Sequence, residues 1–175
     1  MKKFFSLGIS LMLFSFITSS LYAATPLVDA VWVKDQIGKE GVVMLDLRTP
    51  ASYKKGHVPG AVYTNYSKDG WRVKNSEGIA GMLPPVEQIS NLIGSLGIGN
   101  QDHVVLIPYG TSSSKMGTAT RIYWTFKVLG HDKVSILNGG MAAYKKAKNL
   151  HFLLKRSQTH SNQKPFKPIL KKSGY

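Results

Sequence analysis

The chain has 175 residues, no cysteine and a net charge of +14, from 23 Lys and Arg against 9 Asp and Glu. Without cysteine there are no disulfides and no thiolate metal site, and His103, His151 and His160 have no metal-like spacing to acidic partners. The charge surplus lies at the ends: residues 145–175 carry 9 basic and no acidic side chains, whereas residues 25–144 carry 12 and 9.

Residues 1–24 read as a secretory signal. Lys2 and Lys3 form a positive start, Phe4 to Ile17 an apolar run, and Leu21-Tyr22-Ala23-Ala24 a small-residue cleavage site. The apolar run is short for a membrane span. The expected product is periplasmic or secreted, and not an integral membrane protein once the signal is removed. The remaining ~150 residues suit one domain. Residues 25–148 form that domain in this reading, and residues 149–175 form a basic, linker-like tail. Nucleic acid is not an expected partner of a tail behind an export signal.

Short β runs then alternate with helical patterns, which points to an α/β fold. Leu27-Val28 is a strand, and Asp29 caps a helix that runs to Ile37 and stops at Gly38. Val42 to Leu45 is an uninterrupted apolar run, as in a strand buried on both faces, and leads into Asp46-Leu47-Arg48. These two charges pair with each other or with loop backbone. Ala61-Val62-Tyr63 is another short strand. Ser67 to Met82 has no period and reads as a long surface connection. Pro84-Pro85 starts a helix with Val86, Ile89, Leu92, Ile93 and Leu96 at helical spacing. Val104 to Ile107 is the next buried strand. A polar loop from Pro108 to Met116 precedes a helix from about Gly117 to Leu129. Val134 to Leu137 is the last strand, and a short helix starts at Met141.

Ligands of parallel sheets sit at the carboxyl ends of the strands. That rule selects the loop after the fourth predicted strand in this order, with Tyr109, Gly110, Thr111, Ser112, Ser113, Ser114 and Lys115. Its amides and the following helix N-terminus can cradle an anion, with Arg121 facing the same mouth. The loop is not a nucleotide P-loop, because no glycine precedes Lys115. The serines are poor nucleophiles without an assigned base.

Two segments carry a family resemblance. Tyr53, His57, Val58, Pro59, Gly60 and Ala61 match an aromatic-x-x-x-His-aliphatic-Pro-Gly-Ala motif. The second segment comprises the Arg121-Ile122-Tyr123-Trp124 helix, the Gly130-His131 turn and the Asn138-Gly139-Gly140 turn. Together they resemble a rhodanese-like domain, and more narrowly the non-catalytic N-terminal half of two-domain thiosulfate/3-mercaptopyruvate sulfurtransferases. The resemblance implies a single α/β domain with a central parallel five-stranded sheet and helices on both faces. In that family the reactive cysteine sits in the second, catalytic half, in the slot whose equivalent here falls at Ile107 or Pro108. Neither is a nucleophile, so no catalytic residue, metal or cofactor is assigned. His57 belongs to the structural motif. The stretch Pro165 to Lys171 resembles the connector to the catalytic half. The expected role is a structural half without sulfurtransferase activity of its own, from a truncated or split two-domain protein, partnered by a catalytic rhodanese domain or by a second copy. The alternative is a stand-alone periplasmic module that binds a small sulfur oxyanion or a protein segment.

Overall fold

The computed structural model describes residues 24–147. The expected signal, apart from Ala24, and the basic tail lie outside the described residues. The elements run β1 (Leu27–Val28), α1 (Ala30–Asp35), β2 (Val42–Asp46), α2 (Pro50–Lys54), β3 (Val62–Tyr63), β4 (Val73–Lys74), β5 (Ala80–Met82), α3 (Val86–Ser95), β6 (His103–Ile107), α4 (Ser113–Val128) and β7 (Val134–Leu137). A last helix, α5, covers 140–147.

Five strands form one parallel sheet in the order β1-β7-β6-β2-β3. Because neighbouring side chains on a strand point to opposite faces, each apolar run feeds two layers. Leu45, Val104 and Leu106 pack with Ile89 of α3 and Ala119, Ile122 and Phe126 of α4. Met44, Val105 and Ile107 pack with Ala30 and Val33 of α1 and Met141 of α5. Continuous apolar runs are therefore required, and helices cover both faces as expected. No helix among the described residues is long and apolar enough to cross a membrane.

Local signals set the helix starts. Asp29 Oδ1 accepts the Trp32 N–H at 2.7 Å, which satisfies one open donor of α1. Thr49 caps α2 in the same way, with Pro50 in the first turn. The sequence reading had no helix at this place. Its five residues are too few to show a period.

Two further boundaries differ from expectation. α4 starts at Ser113, four residues before Gly117, so the polar loop shrinks to residues 108–112. Serines are weak helix formers in a helix interior but are well suited to the first turn. The larger correction concerns Ser67 to Met82, which is no simple surface connection. It holds the antiparallel pair β4–β5, and its Trp71 is completely buried in the α3–α4 layer. The Trp71 indole N–H donates to Thr64 Oγ1 at 2.8 Å, and that hydroxyl donates to Asp69 Oδ2 at 3.0 Å. Next to it, Arg72 Nη2 donates to the Arg121 carbonyl and to Thr125 Oγ1, fastening the hairpin to α4.

Candidate functional site at the carboxyl end of the sheet

Three loops meet at the carboxyl ends of β2, β3 and β6. The first follows β2. Asp46 and Arg48, 0% and 4% exposed, form a buried pair there. Arg48 Nε donates to both carboxylate oxygens at 2.9 and 3.1 Å, and Nη2 donates to Oδ2 at 2.7 Å. Nη2 also donates to the Gly56 carbonyl at 2.7 Å, so one guanidinium holds the turn after α2. His57 supports the same turn. Its Nδ1 lies 3.0 Å from the Tyr53 carbonyl oxygen and its ring stacks on Tyr53. The Tyr53 hydroxyl donates to the Ala61 carbonyl at 2.6 Å. The aromatic-to-Ala motif is thus a self-bonded turn, and His57 has a structural role in it.

The second loop, residues 108–112, leaves β6. Ile107 is fully buried in the α1–α5 layer, whereas Pro108 lines the cavity in front of the sheet. Of the two candidate positions for a cysteine, only 108 lines this cavity. The Pro108 and Tyr109 carbonyls accept the Met141 and Ala142 N–H groups of α5 at 2.8 and 3.1 Å. This docking depends on glycine. A Cβ on Gly110, whose φ is +79°, would collide with the Gly139 carbonyl, and a Cβ on Gly140 would collide with the Pro108 carbonyl. The Asn138-Gly139-Gly140 turn and Gly110 are one backbone contact.

Tyr109 spans the mouth. Its hydroxyl lies 2.8 Å from Thr49 Oγ1 and 2.9 Å from Ser52 Oγ, and accepts the Thr49 N–H at 3.1 Å. Hydrogen bonding by Ser52 and then Thr49 holds the phenol below its ordinary pKa, with a further contribution from the nearby Lys115 charge. Tyr109→Phe removes these bonds and is expected to cost about 1 kcal/mol of stability, read as a small drop in urea midpoint with an unchanged slope.

On one side of Tyr109 lies a cavity of about 310 Å³ between the loops after β2, β3 and β6, with Lys115 on its wall. On the other side a second, of about 240 Å³, includes Thr111. Arg48 lines both. Ser112, Ser113 and Ser114 are exposed. Ser112 and Ser114 meet only each other among the described side chains, at 3.3 Å, so no base contacts them. Arg121 does not join this group. It sits two turns into α4 and donates to the Gly81 carbonyl of β5 at 2.9 Å. The buried stripe Ala119, Ile122, Phe126 was the signal for this, since it turns position 121 outward. Lys68, on the cavity wall, was missed because the stretch around it has no pattern.

The family model for the rhodanese-like domain matches residues 29–147. The chain belongs to the rhodanese-like domain family. This rhodanese-like domain is 30% identical over 115 residues to human (Homo sapiens) 3-mercaptopyruvate sulfurtransferase, covering 66% of the chain and 34% of that protein. It is 30% identical over 129 residues to thiosulfate/3-mercaptopyruvate sulfurtransferase 2 of Arabidopsis thaliana, covering 69% and 36%. Among solved structures it is similar to a 3-mercaptopyruvate sulfotransferase from Escherichia coli, with a TM-score of 0.55, 25% identity, and coverage of 71% of this chain and 50% of that one. The chain spans little more than a third of the length of these two curated relatives. It is homologous to thiosulfate/3-mercaptopyruvate sulfurtransferases and contains no cysteine.

Proposed function

We propose that this rhodanese-like domain is the non-catalytic, structural half of a thiosulfate/3-mercaptopyruvate-type sulfurtransferase and works with a catalytic rhodanese half that supplies the thiol. One observation carries the reading: the position after β6 that lines the cavity in front of the sheet is Pro108. Sulfur transfer through a persulfide needs a thiolate to attack the sulfane sulfur and hold it. A proline ring offers no nucleophile and no N–H to an anion. The exposed serines contact no base among the described residues, and an oxygen cannot carry sulfur as a persulfide. The apolar run behind Lys2 and Lys3 supports export to a periplasmic or extracellular space.

The purified chain is expected to form no thiocyanate from thiosulfate and cyanide. It should also gain no mass of one sulfur atom after incubation with thiosulfate or 3-mercaptopyruvate. Sustained thiocyanate formation by this cysteine-free chain would refute the reading.

A further inference from the structure

We propose that the apolar groove between α1 and α5 is filled by residues 150–154 of this same chain, whose side chains Leu150, Phe152, Leu153 and Leu154 complete the domain on that face. The groove has a volume of about 370 Å³ and shares no lining residue with the two cavities beside Tyr109. Its walls are Val31 of α1, Ile37 just after it, Pro59 from the turn before β3, and Tyr144 and Ala147 of α5. Ile37, Tyr144 and Ala147 are partly buried against the core layer beneath, whereas Val31 is 62% exposed. An apolar hollow of this kind marks a surface that another apolar group covers.

The place of the groove along the chain selects its occupant. Ala147 is both the last described residue of α5 and part of the groove wall. Residue 150 follows it by three positions, within a reach of about 10 Å. Four of the five side chains at 150–154 are large and apolar, and the next ten residues, 155–164, contain none of that kind. A tethered segment meets the groove at an effective concentration in the millimolar range, so the few side chains that the groove accommodates suffice to hold it. A separate chain would need a contact face of about 800 Å². Charge favours the same occupant. Asp35 stands at the rim beside Lys34 and has no cation within 4.0 Å among the described residues, and Lys148, Lys155 and Arg156 flank the apolar stretch. Packing of this kind needs no thiol and no second domain.

Hydrogen–deuterium exchange on the full chain, read by mass spectrometry, tests the packing. Amides of residues 150–154 should exchange at least about tenfold more slowly than those of an unstructured chain, whereas amides of residues 157–163 should exchange at the unstructured rate. Replacing Leu150→Ser, Phe152→Ser, Leu153→Ser and Leu154→Ser together touches no residue of the described core, so the fold should persist. That quadruple variant should speed exchange in residues 30–37 and lower Tm by about 2 °C or more. From the other side of the contact, Val31→Asn leaves the Asp29 cap of α1 in place and should reduce the protection of residues 150–154 by at least about threefold. The proposal is overturned if residues 150–154 exchange freely, if the quadruple variant leaves residues 30–37 and Tm unchanged, or if Val31→Asn leaves the protection intact. It is also overturned if the protection vanishes on dilution, which assigns the groove to a second copy. None of these outcomes bears on the absence of persulfide chemistry, which thiocyanate formation reports separately.

Discussion

Asp46→Ala is expected to destabilise the domain by about 3–5 kcal/mol. The carboxylate is fully buried and accepts the Arg48 backbone N–H at 3.0 Å as well as its guanidinium. Removing it leaves a cation, 4% exposed, with the Gly56 carbonyl as its remaining acceptor among the described residues. Most of the loss comes from that stranded charge, and less from the pair's own net worth. Replacing both partners, as Asp46→Leu with Arg48→Met, should therefore be much milder than Asp46→Ala alone. Urea unfolding of the two single variants and the double variant closes the cycle. A loss below about 1 kcal/mol for Asp46→Ala would mean that Arg48 regains water through the cavity it lines, contrary to this account.

Trp71→Ala should cost a comparable ~3–5 kcal/mol, the usual range for deleting a buried large aromatic. The indole is completely buried, its ring centroid 5.9 Å from that of Phe126. Its removal opens a void between Leu45, Ile89 and Phe126 and releases the anchor of the β4–β5 hairpin. Trp71→Phe keeps most of the packing and loses the bond to Thr64. It should cost only about 1–2 kcal/mol. Limited proteolysis between residues 70 and 82 offers a second readout: Trp71→Ala should be nicked there much faster than the parent. Equal stability of Trp71→Ala and Trp71→Phe would show that the indole contributes little packing.

The sheet was legible because its inner strands are buried on both faces. Val42 to Leu45 and Val104 to Ile107 show this as uninterrupted apolar runs, and Val134 to Leu137 as a run broken only by Ser135. The turn from Tyr53 to Ala61 was legible through a motif whose members bond to each other within nine residues. Trp71 was not. One aromatic among glycines and charges has no period, and its burial depends on Phe126, far along the chain. Lys68 and Lys115 line one cavity for the same kind of reason: the parallel topology brings the ends of β3 and β6 to one side, and no local pattern records that. Arg121 is different, since the phase of the buried stripe on α4 already pointed it away from the mouth.

The pairing of β1 with β7 has a consequence for the order in which the domain assembles. Leu27 pairs with Ile136 and Val28 with Leu137, more than a hundred residues later in the chain. The Pro26 and Val28 carbonyls accept the Ile136 and Asn138 N–H groups, and the Thr25 carbonyl accepts the Ser135 hydroxyl at 2.5 Å. At synthesis rates of about 5–20 residues per second, β1 waits on the order of 5–20 s for its template. It is made before every other strand of the sheet and cannot pair until β7 exists, and such distant closure slows folding. β7 also separates β1 from β6 in the sheet. A chain that ended before residue 134 would therefore lose both an inner strand and the edge strand that depends on it.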